Sequence, residues 1–261
     1  MNNQTVKKLK VTVLVEDTSP KRSFWGEHGL SFWIETDDKN ILFDTGYSGD
    51  VLIHNLGVLG LKLKDIDAFV LSHPHNDHSG GLRLIIDQIK DVPAYCVSNA
   101  FDKYVPDGEK ISKWFSNINY VKENRVVFSG IYIPKERNTI NSPKETKEIN
   151  LVINLEGKGL VIIVGCAHHG LFNIVKDARL LFQNKVPLYA LIGGFHLKDA
   201  EDKEIVETVD YLKASGLKIL APNHCTGFNA LKIMTQAFPV GLKFVANTHT
   251  GTFHTGMSLT L

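Results

Sequence analysis

Short apolar runs separated by turn residues characterise the first third of the chain. They predict β-strands at residues 10–15, 30–36, 40–44 and 66–72. A helix is predicted to begin near Gly80, because the apolar residues between 82 and 89 are too numerous for a wholly exposed segment. The early chain therefore predicts a sheet followed by a helix.

The last third of the chain has a different pattern of apolar residues, which predicts strands that alternate with helices. Residues 151–155 and 160–164 predict a hairpin, and the strands at 160–164, 188–192 and 218–221 each lead into a loop that carries histidine. An amphipathic helix is predicted after each loop, and a final strand at 244–246. Because sites in layered α/β proteins gather where strand ends meet loops, we expect these histidines to converge.

The stretch from about 93 to 150 is rich in charge, Asn and Pro. Two interpretations stay open within a single domain of residues 1–261. The stretch is either an inserted cap or subdomain, or a set of ordinary strands and loops that completes the sheet. Trp114 and Phe115 are its candidate anchors, and a homodimer is expected if it exposes them.

Composition and charge restrict the class of protein. The 261 residues are 43% apolar and 22% charged, and 29 Lys+Arg against 28 Asp+Glu give a formal net charge of +1. These values exclude disordered, collagen-like and polycationic chains, and they argue against nucleic acid as the main partner. No apolar run approaches the ~18 residues of a membrane span. Three cysteines imply no disulfide framework, so a cytoplasmic protein is expected. The expected partner is a small-molecule substrate.

The strongest chemical signal is Leu-Ser-His-Pro-His-Asn-Asp-His-Ser-Gly-Gly-Leu at residues 71–82. In a nearly extended segment His73 and His75 point the same way and can share one cation. Asp77 and His78 then lie where the chain turns, and can reach a second cation. Imidazole and carboxylate favour zinc, and also suit manganese or iron. The motif therefore predicts two divalent metal ions, about 3.5–4 Å apart, that activate water and polarise a phosphoryl or carbonyl oxygen.

This run, preceded by Ile-Leu-Phe-Asp-Thr-Gly at residues 41–46, resembles the metallo-β-lactamase superfamily. The resemblance implies an α/β fold, an αββα sandwich with the metals at one edge. It also implies that Asp44 lies behind the ligands and orients the metal-binding loop, with Gly46 allowing the turn.

Further ligands are implied at later strand ends. His224, in Ala-Pro-Asn-His-Cys-Thr-Gly, matches the last histidine of the family, and His168 is the best candidate for another, since no histidine lies between His78 and His168. The Gly-Asp of the family is replaced here by Gly165-Cys166. Cys166 is either a thiolate ligand in place of the aspartate or a small buried thiol.

The other histidines rank lower. His196, in Gly-Gly-Phe-His, could bind metal, donate a proton or hold substrate, and is predicted to be catalytic together with Asp77. His169 competes with its neighbour His168. Four histidines carry no clear signal, and surface positions are expected for the last two, although their loop could fold over the site: His28, His54, His249 and His254.

Several motifs taken together are similar to one branch of the family, which includes a dihydropterin ribofuranosyl-aminobenzene phosphate synthase and related metal-dependent hydrolases. They are Val-Leu-Val-Glu-Asp-Thr-Ser, Gly-Leu-Ser-Phe-Trp-Ile-Glu-Thr, Gly-Cys-Ala-His-His-Gly-Leu-Phe-Asn-Ile-Val, Leu-Ile-Gly-Gly-Phe-His-Leu and His-Cys-Thr-Gly, besides the two runs above. The branch implies a hydrolase, or a related synthase, for a small phosphate-bearing or pterin-like substrate.

Two chemical schemes follow from this resemblance. In a hydrolase, activated water attacks phosphorus or carbon while Asp77 and one of His168 or His196 transfer protons. In a pterin-type synthase, the cations activate a pyrophosphate leaving group. Segments 165–170 and 226–227 precede helices whose N-termini suit an anion, although Thr226 as a simple N-cap explains the second equally well.

Three other functions stay open. A diiron redox protein on the same sandwich is disfavoured, because the Gly-Asp carboxylate is missing and the chain has no room for a flavodoxin-like module. A nuclease is disfavoured by the charge balance. A non-catalytic metal-binding module, such as a sensor, would carry the same ligands and differ only in lacking turnover.

Overall fold

Two β-sheets, each with seven strands among the described residues, lie face to face. They are seen in a computed structural model that describes residues 4–19, 21–101, 112–113, 115–140, 146–238, 243–244 and 253–261. Helices follow the strands of both sheets, and this arrangement confirms the predicted αββα sandwich.

The first sheet is built mainly from the first half of the chain. Its strands are β1 (Lys10–Val15), β2 (Ser31–Glu35), β3 (Asn40–Phe43), β4 (Ala68–Val70), β5 (Ala94–Cys96) and β6 (Ile118–Tyr120). They lie side by side in chain order, antiparallel from β1 to β3 and parallel from β3 to β6. The four strands predicted in this part of the chain are confirmed.

The second sheet holds most of the later strands. The strands after β6 are β7 (Arg125–Phe128), β8 (Ile131–Ile133), β9 (Arg137–Asn138), β10 (Lys147–Glu148), β11 (Leu151–Leu155), β12 (Gly159–Val164), β13 (Leu188–Gly194), β14 (Ile219–Asn223), β15 (Lys243–Phe244) and β16 (Ser258–Thr260). The sheet order is β15-β14-β13-β12-β11-β8-β7, while β9 and β10 pair separately. The predicted hairpin is β11–β12, and β12 to β15 run parallel.

Helices connect the parallel strands. The longer helices are α1 (Asp50–Leu59), α3 (Leu82–Ile89), α4 (Leu171–Leu181), α5 (Asp202–Ala214) and α6 (Phe228–Ala237), and α2 (Asn76–Ser79) is a single turn. α1 packs against β1, and α4 packs against β12. Within the described part of the chain, no helix has the length and apolarity needed to cross a membrane.

The alternation of side chains along β12 shows where the core lies. Val161 and Ile163 belong to the apolar cluster that fills the space between the sheets, whereas Leu160, Ile162 and Val164 belong to the cluster shared with α4, α5 and α6. Each fully buried aliphatic side chain contributes about 1.5–3 kcal/mol to folding. The sandwich therefore provides a rigid base for the loops at its edges.

Some expectations about the chain ends and the middle stretch differ from the structure. β15 is not the final strand, because β16 follows it and pairs with β1 at the edge of the first sheet. Phe115 packs into the core as an anchor would, since it is 7% exposed and its ring lies 6.0 Å from that of Phe69, and it does not provide the exposed surface on which the homodimer was conditional. Trp114 and Ala246 lie outside the described residues. The homodimer therefore stays a prediction without the support of Phe115.

Gly193 in β13 offers a test of how tightly β12 and β13 pack. Its φ of +129° lies in the region that favours glycine, and a Cβ there would collide with the carbonyl oxygen of Val164. We expect Gly193→Ala to lower the free energy of unfolding by about 3 kcal/mol, measured by urea denaturation.

Gly57 in α1 is the matched control. No atom lies within 4 Å of a Cβ built on it. Gly57→Ala should therefore stabilise the protein by about 0.5–1 kcal/mol, because alanine restricts the unfolded chain and favours helix. Equal unfolding midpoints for the two variants would contradict the close approach of β12 and β13.

Candidate metal centre

The loops after β4, β12, β13 and β14 meet at one edge of the sandwich. The loops after β4, β12 and β14 bring together six of the sequence-predicted ligands in two groups of three, and within each group the ligand atoms lie within 4.8 Å of one another. The first group is His73, His75 and His168, and the second is Asp77, His78 and His224. The spacing of the strand-end motifs in the sequence thus corresponds to a single cluster in space.

The ring contacts connect these two groups. In the first group the ring centroids lie 4.6 Å (His73–His75), 4.9 Å (His73–His168) and 4.8 Å (His75–His168) apart. The ring of His73 lies 4.1 Å from that of His78 in the second group. His73 and His78 are fully buried, so the two groups share a closed floor.

Asp44 lies behind His73 and His78 and fixes their positions through hydrogen bonds. Its carboxylate is fully buried and accepts hydrogen bonds from the backbone N–H of Ser72, from the Ser72 hydroxyl and from Nδ1 of His78, all at 2.7 Å. Asp44 has φ +56°, and Gly46 two residues later has φ +69°, so the chain turns sharply between β3 and α1. The structure thus places Asp44 where the family resemblance expects it.

The same hydrogen bonds determine which ring nitrogens face the centre. Because the Ser72 hydroxyl donates its hydrogen to Asp44, it accepts one from Nδ1 of His73, 2.8 Å away. Nδ1 of His78 donates to Asp44, and Nδ1 of His224 donates to Oδ1 of Asp17 at 2.8 Å. Nε2 of each of these histidines therefore faces the other candidate ligands: that of His73 has no partner among the described residues, that of His78 lies 3.1 Å from Sγ of Cys166, and that of His224 lies 3.1 Å from Oδ2 of Asp77.

Buried ring nitrogens without partners fit a metal. Nε2 of His73 and both ring nitrogens of His168 are buried and find no hydrogen-bond partner among the described residues. An unsatisfied buried polar group costs about 1–3 kcal/mol, and a coordinated cation would remove that cost. Three histidines in one group, and two histidines with an aspartate in the other, suit zinc, manganese or iron.

The ionisation of His73 and Asp77 suits a cation. Burial, and then repulsion from His78 and other histidines, keeps the pKa of His73 well below its ordinary value, so this ring is neutral. Burial alone would raise the pKa of Asp77, but His78 and His224 outweigh it and lower that pKa. A neutral imidazole and an ionised carboxylate are the forms that bind metal. His224 differs, because burial lowers its pKa but hydrogen bonds to Asp17 and Asp77 outweigh burial and raise that pKa well above the ordinary value, so a cation would have to displace a proton there.

Cys166 lies at the boundary of the two groups. Its thiol is buried, and Sγ lies 3.1 Å from Nε2 of His78. Together with His73 and His78 it forms another trio of potential ligand atoms within 4.8 Å. The position is that of a ligand, while the burial fits either of the two interpretations of the sequence.

The loop that carries His168 is held by a buried carboxylate that sequence analysis missed. Glu148, at the end of β10, accepts the backbone N–H groups of His168 at 2.9 Å and His169 at 2.6 Å. Burial raises the pKa of Glu148 to about 7, although these two hydrogen bonds oppose the shift. A lone Glu in a charged stretch gives no sequence signal of this role.

Three further residues near the second group were also missed. Glu16 accepts the backbone N–H of His224 at 2.9 Å, and Asp17 accepts its ring. Burial alone would raise the pKa of Asp17, but hydrogen bonds from His224 and His28 lower it to about 2. His28 is exposed, and its Nε2 lies 3.5 Å from Asp77. The Val-Glu-Asp-Thr motif of residues 15–18 was the available signal.

The remaining histidines are placed as follows. His196 is half-buried beside the first group, with its ring 4.3 Å from that of His168. His169 turns away, with Nδ1 3.2 Å from the carbonyl of Asn138. His54 stacks on Trp25, apart from the centre.

The surface position expected for His254 is wrong. The residue is 2% exposed, because its segment packs under the loop of residues 16–18 through Thr255. His249 lies outside the described residues.

Comparison with known proteins identifies relatives of this chain. The family model described as the metallo-beta-lactamase superfamily matches residues 25–179. The chain is 34% identical to the 7,8-dihydropterin-6-methyl-4-(beta-D-ribofuranosyl)-aminobenzene-5'-phosphate synthase of Methanocaldococcus jannaschii, over 91% of this chain and 94% of that protein. It is 32% identical to the uncharacterised protein MJ0448 of the same organism, over 87% of this chain and 94% of that protein.

A solved structure extends the comparison. Tm1679, a metal-dependent hydrolase of the beta-lactamase superfamily, superposes with a TM-score of 0.77 at 25% identity, over 96% of this chain and 98% of that chain. These matches confirm the resemblance indicated by the sequence motifs.

Asp44→Asn tests the hydrogen bonds behind the ligands. The amide NH2 would face Nδ1 of His78, so the ring would have to carry its proton on Nε2, the atom that faces the centre. We expect the affinity for zinc to fall about 10–100-fold, measured by competition with a chromophoric chelator.

Asp67→Asn is the control for this variant. Asp67 also accepts a backbone N–H, from Asn40 at 2.8 Å, but its other carboxylate oxygen forms an ion pair with Lys39 rather than a contact with a candidate ligand. Zinc affinity should be unchanged in that variant. An Asp44→Asn protein that binds zinc as tightly as the wild type would contradict the role of Asp44.

His168 should make the metal-free protein sensitive to acid. Burial, and then repulsion from His196 and His75, lowers the pKa of His168 to about 3 from an ordinary 6.5. Below pH 6.5, His168 binds a proton in the unfolded chain but stays neutral in the folded protein. The free energy of unfolding of the metal-free protein therefore decreases as the pH falls from 6.5 toward 3. Between pH 7 and 4, we expect His168→Gln to lose less stability than the wild type, by at most about 3 kcal/mol.

Urea unfolding of chelator-treated protein measures this difference. His54→Gln, which replaces a half-buried histidine that stacks on Trp25 apart from the centre, is the composition-matched control. Equal acid sensitivity of His168→Gln and the wild type would show that His168 is protonated in the folded protein.

Proposed function

This chain belongs to the metallo-β-lactamase superfamily, and on that premise we propose that it is an enzyme that uses two divalent cations, preferably zinc, on a small phosphate-bearing substrate. The observation that carries the proposal is the pair of adjacent ligand groups, His73/His75/His168 and Asp77/His78/His224. When bound there, two cations would supply Lewis-acid chemistry, lowering the pKa of water and polarising a phosphoryl or carbonyl oxygen.

The exposure of the side chains indicates where substrate enters. His73, His78 and Cys166 are buried and close the floor of the centre, whereas Asp77 and His75 are only half-buried. Substrate would therefore approach from the side of Asp77 and His75.

Two histidines flank that open side. His196 lies beside the first group, and exposed His28 lies beside the second, 3.5 Å from Asp77. We assign His196 as the proton donor to the leaving group. Asp77 holds one cation and accepts a proton from the attacking group.

A phosphate group finds support in two helix N-termini next to the centre. α4 begins after Gly170 and α6 after Gly227, and neither has a capping side chain or an acidic residue in its first turn. Thr226 is not the N-cap, because its hydroxyl instead donates to the carbonyl of Asn223 at 2.7 Å. The first-turn N–H groups of both helices and their positive dipole ends therefore suit an anion.

A synthase is the second candidate, and it is favoured by the 34% identity to the dihydropterin-related synthase over most of the chain. In that reaction a dihydropterin with a pyrophosphate leaving group would be joined to a ribofuranosyl-aminobenzene 5'-phosphate. The residues keep their assignments, since a departing pyrophosphate needs the same charge stabilisation as a hydrolysed phosphate.

Metal content tests the two groups separately. Elemental analysis of protein purified without chelator should find at least about two cations per chain, one for each of these two groups. His75→Ala and His224→Ala each remove a ligand from a different group, so each should lower the content by about one and reduce turnover more than about 100-fold. Full metal and full activity in both variants would refute the centre.

The substrate is identified by turnover of the zinc-loaded enzyme. Release of phosphate or alcohol from a panel of phosphomonoesters and phosphodiesters supports a hydrolase. Formation of the joined pterin product, measured by mass spectrometry, supports a synthase. Two bound cations without turnover on either set would favour the non-catalytic module, and an optical iron–oxo band would favour the diiron protein.

A further inference from the structure

A further cluster of candidate metal-binding side chains lies beside the two ligand groups and shares Cys166 with the trio described above. Cys166, His196 and Cys225 come from the loops after β12, β13 and β14, and their ligand atoms lie within 4.8 Å of one another. Both thiols are buried, at 3% and 8% exposure. Cys225 has no role in the proposed reaction, so that reaction does not account for this cluster.

The distance between the sulfurs is close to that in a metal site. The two Sγ atoms lie 3.4 Å apart. Two thiolates bound to one zinc at about 2.3 Å, in tetrahedral geometry, lie roughly 3.8 Å apart. A shift of a few tenths of an ångström would therefore place both sulfurs on one cation.

The third member of the cluster is held in place by the second. The backbone N–H of His196 donates to Sγ of Cys225 at 3.3 Å, and His196 has φ +50°. Its Nδ1 is buried and finds no hydrogen-bond partner among the described residues. This imidazole nitrogen lies next to two sulfurs and has no other partner in the described part of the chain, so it can serve as the third ligand of a cation that the sulfurs bind.

Charge balance favours a divalent ion at this position. Two thiolates neutralise a 2+ charge, so a cation bound by Cys166, Cys225 and neutral His196 leaves no net charge in a buried place. Thiolates also prefer softer ions than the carboxylate of the second ligand group does.

We propose that Cys166, Cys225 and His196 form a third cation site, which takes a soft, thiophilic divalent ion such as zinc. Cys166 joins this site to the other two groups, because its Sγ also contacts Nε2 of His78. The inference goes beyond the proposed function and modifies it in one respect, because a His196 that binds a cation through Nδ1 can offer the leaving group only a hydrogen bond from its Nε2–H.

Cobalt binding tests the site directly. Full-length protein, reduced and treated with chelator, is titrated with Co²⁺ while the sulfur-to-cobalt charge-transfer absorption and the bound cobalt are measured. We expect about three equivalents per chain in the wild type and about two in Cys225→Ser, with at least about half of the charge-transfer band lost.

Cys96→Ser is the matched control. Cys96 is equally buried, in β5, and belongs to none of the ligand groups found among the described residues. It should keep the cobalt content and the band of the wild type. His75→Ala should lose cobalt without losing the band, which separates a failure of the proposed function from a failure of the third site.

Several outcomes would overturn the proposal. Equal cobalt content and an equal band in Cys225→Ser and the wild type would show that Cys225 binds no metal. A disulfide between Cys166 and Cys225 in protein as purified, found by thiol titration, would assign the pair to redox chemistry instead. If Cys225→Ser fails to fold by circular dichroism, His196→Gln replaces it and should also lose about one equivalent of cobalt.

Discussion

The hydrogen bonds that Asp44 accepts are the constraint on which the rest of the centre depends. A carboxylate buried between two sheets is tolerated only when it is fully hydrogen-bonded, and Ser72 and His78 satisfy it with three donors. These bonds tie the end of β3 to the loop after β4. They also place the protons of His73 and His78 on the nitrogens that face away from the centre. The ligand atoms are thus prepared before any cation arrives.

The backbone around the centre is strained, so contacts with the rest of the fold must hold its loops in this conformation. Six described non-glycine residues have positive φ, and four of them lie here: Asp44, Ala167, His196 and His224. Each such residue costs on the order of 1–3 kcal/mol, so surrounding contacts must maintain it. Glu148 does this for the loop of His168, and Glu16 for the loop of His224. The sandwich core stabilises the protein enough to tolerate this cost.

The ligand atoms differ in chemical character across the site. Asp77 and His75 are half-buried and lie toward solvent, whereas Cys166 and Cys225 are buried together with His73 and His78. The carboxylate therefore lies on the open side of the site, and both sulfurs lie on its closed side. Cys166 contacts both His78 and Cys225, and a cysteine in place of the family's aspartate provides a softer donor of the same charge when ionised.

The sequence alone determined the alternation of strands and helices and the candidate ligands of residues 73–78, because short-range periodicity and a dense motif are local properties. The resemblance of its motifs to the family added the sandwich and the candidate ligands His168 and His224. Neither determined what surrounds them. Glu148 and His28 reach the centre from segments without a distinctive pattern, and the motifs that hold Asp17 and Cys225 did not reveal what these residues contact. His254 is buried where a surface position was expected. Burial and hydrogen-bond partners depend on contacts between residues far apart in the chain. Only the packing of the two sheets and their loops decides these contacts.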